Sequence, residues 1–326
     1  MNGRFVGLVS VAAALAAGCC SQVGTPGARP LKVVMLGNSF GECIMHYTPE
    51  FAAACGAPLD LCSLFIGGCS LGRHAENAAR TEADFAPYRV MWQYASLADQ
   101  TRVPFYGLLT RTGEHPMAEC PRHIGHANWP AVLKAEKWDV VVIHQRSEDS
   151  WQWKTYQPDA DRVIAKIREL APQARIVVQE TWSYCDLSDR VCDPKTGGPG
   201  TYGVDKRGMY ERLHDCYGRL AAANGFAVIP TGTAIQRYRD ALPVGKDVLA
   251  DDLVGNDWPD GKGGRRIDFK HLNRRGEYLQ AATWTAALTG RDVRDVGFLP
   301  PTTGLSRDRA ALIRACAQDA VDGLHK

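Results

Sequence analysis

Three residues of this chain have the types that acyl chemistry needs: Ser39, Asp268 and His271. Ser39 lies near the end of the stretch Leu31 to Gly41, LKVVMLGNSFG, where an apolar run rich in β-branched residues stops abruptly at Gly37-Asn38-Ser39. That pattern reads as a buried strand ending in a tight turn that presents one hydroxyl. A serine at the carboxyl end of a parallel strand sits where open α/β sheets place their ligands, and Gly37 lets the turn form without a Cβ clash. Asp268 and His271 are separated by two residues. In a turn leading into a helix, that spacing lets the carboxylate reach the imidazole, hold its tautomer and stabilise the imidazolium. His271 is then the general base toward Ser39 and the general acid toward the leaving alkoxide. Each signal also has a plainer reading: an ordinary turn after a strand, and a helix-capping aspartate before a surface histidine.

The elements that must position these residues alternate along the chain. After Ser39, Thr48 to Cys55 reads as a short helix with Pro49 at its first position, and Leu59 to Ile66 as a second strand. That strand ends in Gly67-Gly68-Cys69-Ser70-Leu71, where two glycines allow close backbone approach and leave N–H groups to face a site. Arg73 to Arg80 looks helical, and Arg89 to Tyr94 with Val103 to Leu109 reads as a hairpin inserted beside the main sheet. Asp139 to Ile143, DVVVI, is a core strand ending in His144-Gln145. Asp159 to Leu170, Arg207 to Asn224, Gly232 to Arg239, Arg274 to Thr289 and Arg307 to Leu324 read as helices, with strands at Ala174 to Gln179 and Ala227 to Pro230. Strands alternating with helices of this length predict βαβ units and a largely parallel sheet with helices on both faces.

Composition narrows the class. The chain has 326 residues, 45% hydrophobic and 23% charged, enough for a sizeable core. Lys+Arg 38 against Asp+Glu 36 gives a net charge of +2 with no long run of either sign, which argues against nucleic acid as a partner. Residues 1–18 have a basic start at Arg4, an apolar stretch from Phe5 to Ala17 too short to span a bilayer, and small residues before Cys19. They read as an export signal, with 19–30 as a tether and 31–326 as the catalytic unit. Leu15-Ala16-Ala17-Gly18-Cys19 resembles a bacterial lipobox, in which the cysteine is lipidated and becomes the mature N-terminus. Export permits disulfides; setting aside Cys19 and Cys20 from the eleven cysteines leaves nine, and Cys185 with Cys192 and Cys55 with Cys62 are the most local candidate pairs. His115, Cys120, His123 and His126 have metal-ligand types, but their spacing fits no strong zinc pattern.

Gly37-Asn38-Ser39-Phe40 on the first strand, Gly68 after the second, a polar amide after a core strand and Asp268-x-x-His271 before a late helix stand in the order of the motif blocks of the SGNH (GDSL-type) hydrolases, which the chain resembles over roughly residues 31–290. More narrowly, GGCSL with His74-x-Glu76-Asn77, ETWSY at 180–184, Met209-Tyr210, Pro230 to Ile235 and His271-Leu272-Asn273 with Gly276 and Tyr278-Leu279 look like a bacterial subfamily of uncharacterised function. The resemblance implies a flavodoxin-like three-layer α/β/α fold and a Ser39-His271-Asp268 triad. It also implies an oxyanion hole made of the N–H groups of Ser39 and Gly68 and a side-chain amide. Where the superfamily has Gly-x-Asn, this chain has His144-Gln145, so Gln145 is the expected third donor. Residues 37–41 also satisfy G-x-S-x-G, the nucleophile elbow of α/β-hydrolases, yet a serine on the first strand and an Asp three residues before its His argue against that fold.

The expectation is an exported, lipid-anchored serine esterase, periplasmic or on the cell surface. It removes a small acyl group, with acetyl the expected one, from a carbohydrate, and it needs neither metal nor organic cofactor. Its only link to a membrane is the anchor at Cys19. His74, Trp151 and Trp182 are expected to line the substrate pocket, the tryptophans as an apolar wall for a sugar ring. Two other readings remain open from sequence: an acyltransferase of the same fold, and a surface glycan-binding lipoprotein without turnover.

Overall fold

The strand that carries Ser39 is flanked on both sides by other strands, and that explains its composition. In the computed structural model, which describes residues 29–82, 84–93, 106–112, 123–242, 248–260 and 262–325, β1 (Leu31–Gly37) pairs in parallel with β2 (Leu59–Phe65) and with β5 (Val140–Ile143). The order across the seven-stranded sheet is β4-β3-β2-β1-β5-β6-β7, with β6 (Arg175–Gln179) and β7 (Ala227–Ile229) continuing the parallel set. Strands buried on both faces read as continuous apolar runs, so VVMLG and VVVI carry no polar alternation. Val34 and Leu36 face one core, shared with α3 (Leu71–Ala78), α4 (Trp129–Ala135), α5 (Asp159–Leu170) and α6 (Lys206–Asn224). Val33 and Met35 face the other, against α2 (Ile44–Ala54) and α9 (Arg274–Thr289). These are the three α/β/α layers that the alternation of elements predicts. Outside α9 pack α7 (Thr231–Ala241) and α10 (Arg307–Asp322), around a further apolar cluster.

Three expectations about elements are corrected. First, β3 (Tyr88–Gln93) is no insertion: it extends the main sheet, antiparallel to β2 on one side and to β4 (His123–Ala127) on the other. The anticipated partner segment contributes a short helical turn at Tyr106–Leu108, and its earlier part lies outside the described residues. Second, α2 starts at Ile44, so Pro49 sits inside it and Thr48 is no cap. A shorter helix, α1 (Ser39–Glu42), precedes it and begins at the serine itself. Third, Cys185, Cys192, Cys55 and Cys62 are all free thiols. The export signal, Cys19, His115 and Cys120 also lie outside the described residues, and no described helix is long and apolar enough to cross a membrane.

The second half of the candidate triad is not on the main sheet. After the short α8 (Val248–Asp251), a separate two-stranded ribbon forms from β8 (Val254–Pro259) and β9 (Arg265–Leu272), antiparallel, and Asp268 and His271 both lie on β9. An isolated hairpin is marginally stable, so something must hold this one. Its root is fixed by a buried ion pair: Arg239 of α7 donates through Nε to both carboxylate oxygens of Asp252 at 3.1 Å, and the two side chains are 3% and 0% exposed. The remaining lone pairs and protons are used as well. Asp252 accepts the N–H groups of Leu253 and Val254, and Arg239 donates to Ser183 Oγ at 2.7 Å and to the carbonyls of Ser183 and Tyr184. Removing one partner strands the other charge in the interior. Arg239→Met should therefore lower unfolding stability by about 3–5 kcal/mol in urea titrations, with part of the loss recovered in Arg239→Met/Asp252→Leu.

Candidate active site

β1 stops because Asn38 diverts its backbone. Asn38 caps α1, its Oδ1 accepting the Phe40 N–H at 3.0 Å, while its Nδ2 donates to the Cys69 carbonyl at 2.9 Å. One side chain thus joins the serine turn to the glycine turn after β2. Ser39, the first residue of α1, is half-buried, and at that position its N–H has no intrahelical acceptor. Space around the turn does not require the glycine at Gly37. A Cβ on Gly41 would lie 2.6 Å from Met35 Cε, whereas one on Gly37 would meet Met35 Cγ at an ordinary 3.5 Å. Gly68 is exposed at the head of the neighbouring turn, with φ +61, a conformation glycine adopts without strain.

Asp268 and His271 meet by a route that the spacing alone does not predict. Residues three apart on a regular strand point to opposite faces. Here Asn256 pairs with Asp268 but Val254 with Leu272, so four steps of β9 oppose two of β8, and the surplus bulges out between Asp268 and Leu272. Within the bulge, Asp268 Oδ1 accepts the N–H groups of Lys270 at 2.8 Å and His271 at 3.1 Å, and Oδ2 makes a short hydrogen bond with His271 Nδ1. The predicted turn into a helix is thus a strand bulge, and α9 starts only at Arg274 under an Asn273 cap. Burial works against the Asp268 charge, but the bond from His271 and those two N–H groups outweigh it and hold the carboxyl down at about 2. Asp268 is therefore ionised wherever the protein is used, and the tautomer it fixes leaves His271 Nε2 as the ring's acceptor.

Three carbonyls of the bulge are taken up by neighbouring segments. Cys185 N–H donates to Phe269 O at 3.0 Å, the Trp182 indole N–H to Lys270 O at 2.8 Å, and the Asn256 amide to Leu272 O at 3.0 Å. Trp182 also stacks face to face on Phe40, ring centroids 4.3 Å apart, and Phe40 meets the His271 imidazole edge-on at 5.5 Å. Phe40, the residue next to Ser39, thus packs on the imidazole, and α1 lies against β9. Among the described residues nothing hydrogen-bonds His271 Nε2.

Several expected site residues have other tasks. Gln145 is 1% exposed; its amide nitrogen donates to Thr155 O at 2.9 Å and its oxygen accepts the N–H groups of Leu71 and Arg146, each at 3.0 Å. The amide anticipated in the oxyanion hole therefore staples three segments together at the end of β5. His74 is fully buried, its Nδ1 2.9 Å from Tyr88 Oη, and burial pushes it down to about 3, so it is a neutral core histidine and no pocket wall. Trp182 is likewise fully buried and supports His271 from behind. Trp151 is half-buried beside Tyr202, ring centroids 4.9 Å apart, with the Arg212 guanidinium over its ring. Sequence reasoning missed His144, whose Nε2 accepts the Asn38 N–H at 3.3 Å, and the buried Glu180, which takes up His214 Nδ1 at 2.6 Å and Thr233 Oγ1 at 2.8 Å. A histidine at the end of a core strand was the only available signal for the first; the Glu-Thr-Trp and Gly-Thr-Ala stretches gave one for the second without saying that they converge.

Similar proteins share this architecture. The solved structure of a DUF4886 family protein from Bacteroides uniformis superimposes with a TM-score of 0.66 at 24% identity, over 91% of this chain and 96% of that one. Looser likenesses, each with a TM-score of 0.44, link 80% of this chain to all of a protein assigned as an SGNH hydrolase from Slackia heliotrinireducens, 17% identical, and to 96% of one assigned as a GDSL-like lipase from Parabacteroides merdae, 13% identical. No curated protein matches this chain. The family model described as "Domain of unknown function (DUF4886)" matches residues 126–320, more than half of the 326, and the chain belongs to that family.

Proposed function

We propose that this protein is a serine esterase in which Ser39 is the nucleophile, His271 the general base and acid, and Asp268 the group that orients and charges the imidazole. One observation carries the reading: the Asp268 carboxyl holds His271 Nδ1, the ring is packed on the residue next to Ser39, and among the described residues nothing hydrogen-bonds Nε2. In the reaction, Ser39 Oγ attacks the ester carbonyl while its proton passes to Nε2. The tetrahedral intermediate places its negative oxygen among backbone N–H groups, for which Ser39 and Gly68 are the candidates. Collapse breaks the ester C–O bond, and the alkoxide leaves with the proton from His271. Water then attacks the acyl-enzyme carbonyl as it gives a proton to Nε2; the second tetrahedral intermediate breaks its bond to Ser39 Oγ, which takes that proton back from Nε2, and the acid leaves.

A carbohydrate O-acetyl ester is the substrate we favour. Support comes from the lipobox-like segment ending at Cys19, which would hold the protein at the cell envelope, and from the Trp151 and Tyr202 rings. These connect to the bulge through Arg190, whose guanidinium lies 5.6 Å from the Tyr202 ring and 5.5 Å from the Phe269 ring. A half-buried aromatic pair next to a guanidinium suits the apolar face and the hydroxyls of a sugar.

Acetate release from p-nitrophenyl acetate and from acetylated glycans should fall by at least roughly a thousandfold in a folded Ser39→Ala variant. Equal turnover in variant and parent would remove Ser39 as nucleophile; an added alcohol that diverts the acyl group from water would mark a transferase. The rate should be lost in acid, since only a neutral ring can accept the Ser39 proton, while Asp268, held at about 2, adds no second inflection above about pH 4. A rate flat with pH while chemistry is limiting would contradict the base assignment. Trp182→Phe keeps the ring on Phe40 but abandons the Lys270 carbonyl, so we expect a loss of about 1–3 kcal/mol in stability and a lower kcat with KM little changed.

A further inference from the structure

His144 directly follows β5, and the register that pairs Leu36 with Ile143 sets it beside Asn38 at the end of β1. Both residues are buried, at 0% and 1% exposure. The ring accepts the Asn38 N–H through Nε2 at 3.3 Å, and because a backbone N–H can only donate, the ring proton resides on Nδ1. A protonated ring would have no lone pair for this bond. The interior prevents that state: burial pushes His144 down to about 3, with the neighbouring His74 adding to the effect. Asn38 in turn distributes the constraint. Its Oδ1 fixes the Phe40 N–H on the far side of Ser39, and its Nδ2 grips the Cys69 carbonyl at 2.9 Å, one residue beyond Gly68.

We propose that His144 is a positioning residue for the oxyanion hole: by accepting the Asn38 N–H it orients the Ser39 backbone directly and, through the Asn38 amide on Cys69, the Gly67-Gly68 turn. The inference rests on the serine esterase reading. It accounts for how two backbone N–H groups on separate turns keep a common aim when the Gln145 amide is engaged with Thr155. His144 touches no reacting atom; it acts through Asn38.

The test compares His144→Leu, which removes the acceptor, with His144→Gln, whose side-chain oxygen can take its place. With p-nitrophenyl acetate, His144→Leu should lose roughly 10- to 100-fold in kcat with KM within about twofold, and His144→Gln should return to within about threefold of the parent. Labelling of Ser39 by a fluorophosphonate, whose phosphoryl oxygen needs the same donors, should slow and recover in parallel. Full kcat in His144→Leu, a loss confined to KM, or no rescue by His144→Gln would overturn the proposal. The same plate carries Ser39→Ala: activity retained there defeats the esterase reading itself, whereas an inactive Ser39→Ala beside a fully active His144→Leu defeats only the role of His144. Should His144→Leu fail to fold, ¹⁵N NMR of the parent decides. Nε2 should be the bare, accepting nitrogen and Nδ1 the protonated one, unchanged between about pH 5 and 8. The opposite tautomer, or a ring that titrates in that range, would overturn it.

Discussion

Everything at the candidate site hangs on the buried pairing of Arg239 with Asp252. Ser39 belongs to a seven-stranded sheet whose register is enforced by burial on both faces, but Asp268 and His271 stand on a two-stranded ribbon that, among the described residues, no strand of the sheet pairs with. Without the sheet to fix it, the ribbon needs a fixed root. The guanidinium supplies one by reaching from α7 to a carboxylate whose own neighbours, Leu253 and Val254, open β8, while its other nitrogens fasten the Ser183 and Tyr184 carbonyls. That same segment contains Trp182, which holds the bulge. One charge pair therefore locates both the root of the ribbon and the wall behind His271. Such a pair is a poor source of net stability, since desolvation consumes most of its attraction. What it confers is a defined position, enforced by the high cost of leaving either charge alone.

A division of labour follows. The sheet gives Ser39 its place through Asn38, with hydrogen bonds to the turns on either side. The bulge gives Asp268 and His271 their mutual geometry within five residues, from Asp268 to Leu272. The aromatic stack of Trp182 on Phe40, with Phe40 against His271, joins the two halves by dispersion and shape. Polar contacts thus set the geometry within each half, and apolar contacts set the distance between them.

Much of the main sheet could be read directly from the residues. The runs VVMLG and VVVI and the amphipathic helix from Asp159 to Leu170 appear where periodicity puts them, because burial on two faces or on one leaves a pattern that local sequence cannot hide. The candidate site was legible as residue types: Ser39 follows a core strand as read, whereas Asp268 and His271 meet in a strand bulge and not in a turn leading into a helix. What was not legible depends on partners distant in the chain. The partner of β3 is β2, with β4 beyond, a choice made by the sheet edge rather than by the nearest apolar segment. The bulge in β9 exists only against the shorter path of β8. Gln145 looked like a donor because its type allows it; only the three-dimensional path of Leu71 and Thr155 shows that its amide is already in use. His74 and Trp182 followed glycine-rich or strand-end segments, as pocket residues do, and burial placed both inside the core.

Because Asp268 and His271 share one bulged segment, the candidate site consists mechanically of two bodies and not three. Any drift of the ribbon carries Asp268 and His271 together, so the carboxylate–imidazole bond is insulated from it and a single coordinate, the gap between His271 and Ser39, absorbs the motion. The distal end of the ribbon, past Asp257 and Arg265, lies beyond the bulge. Changes in its length or composition would thereby leave the Asp268–His271 geometry at its base undisturbed.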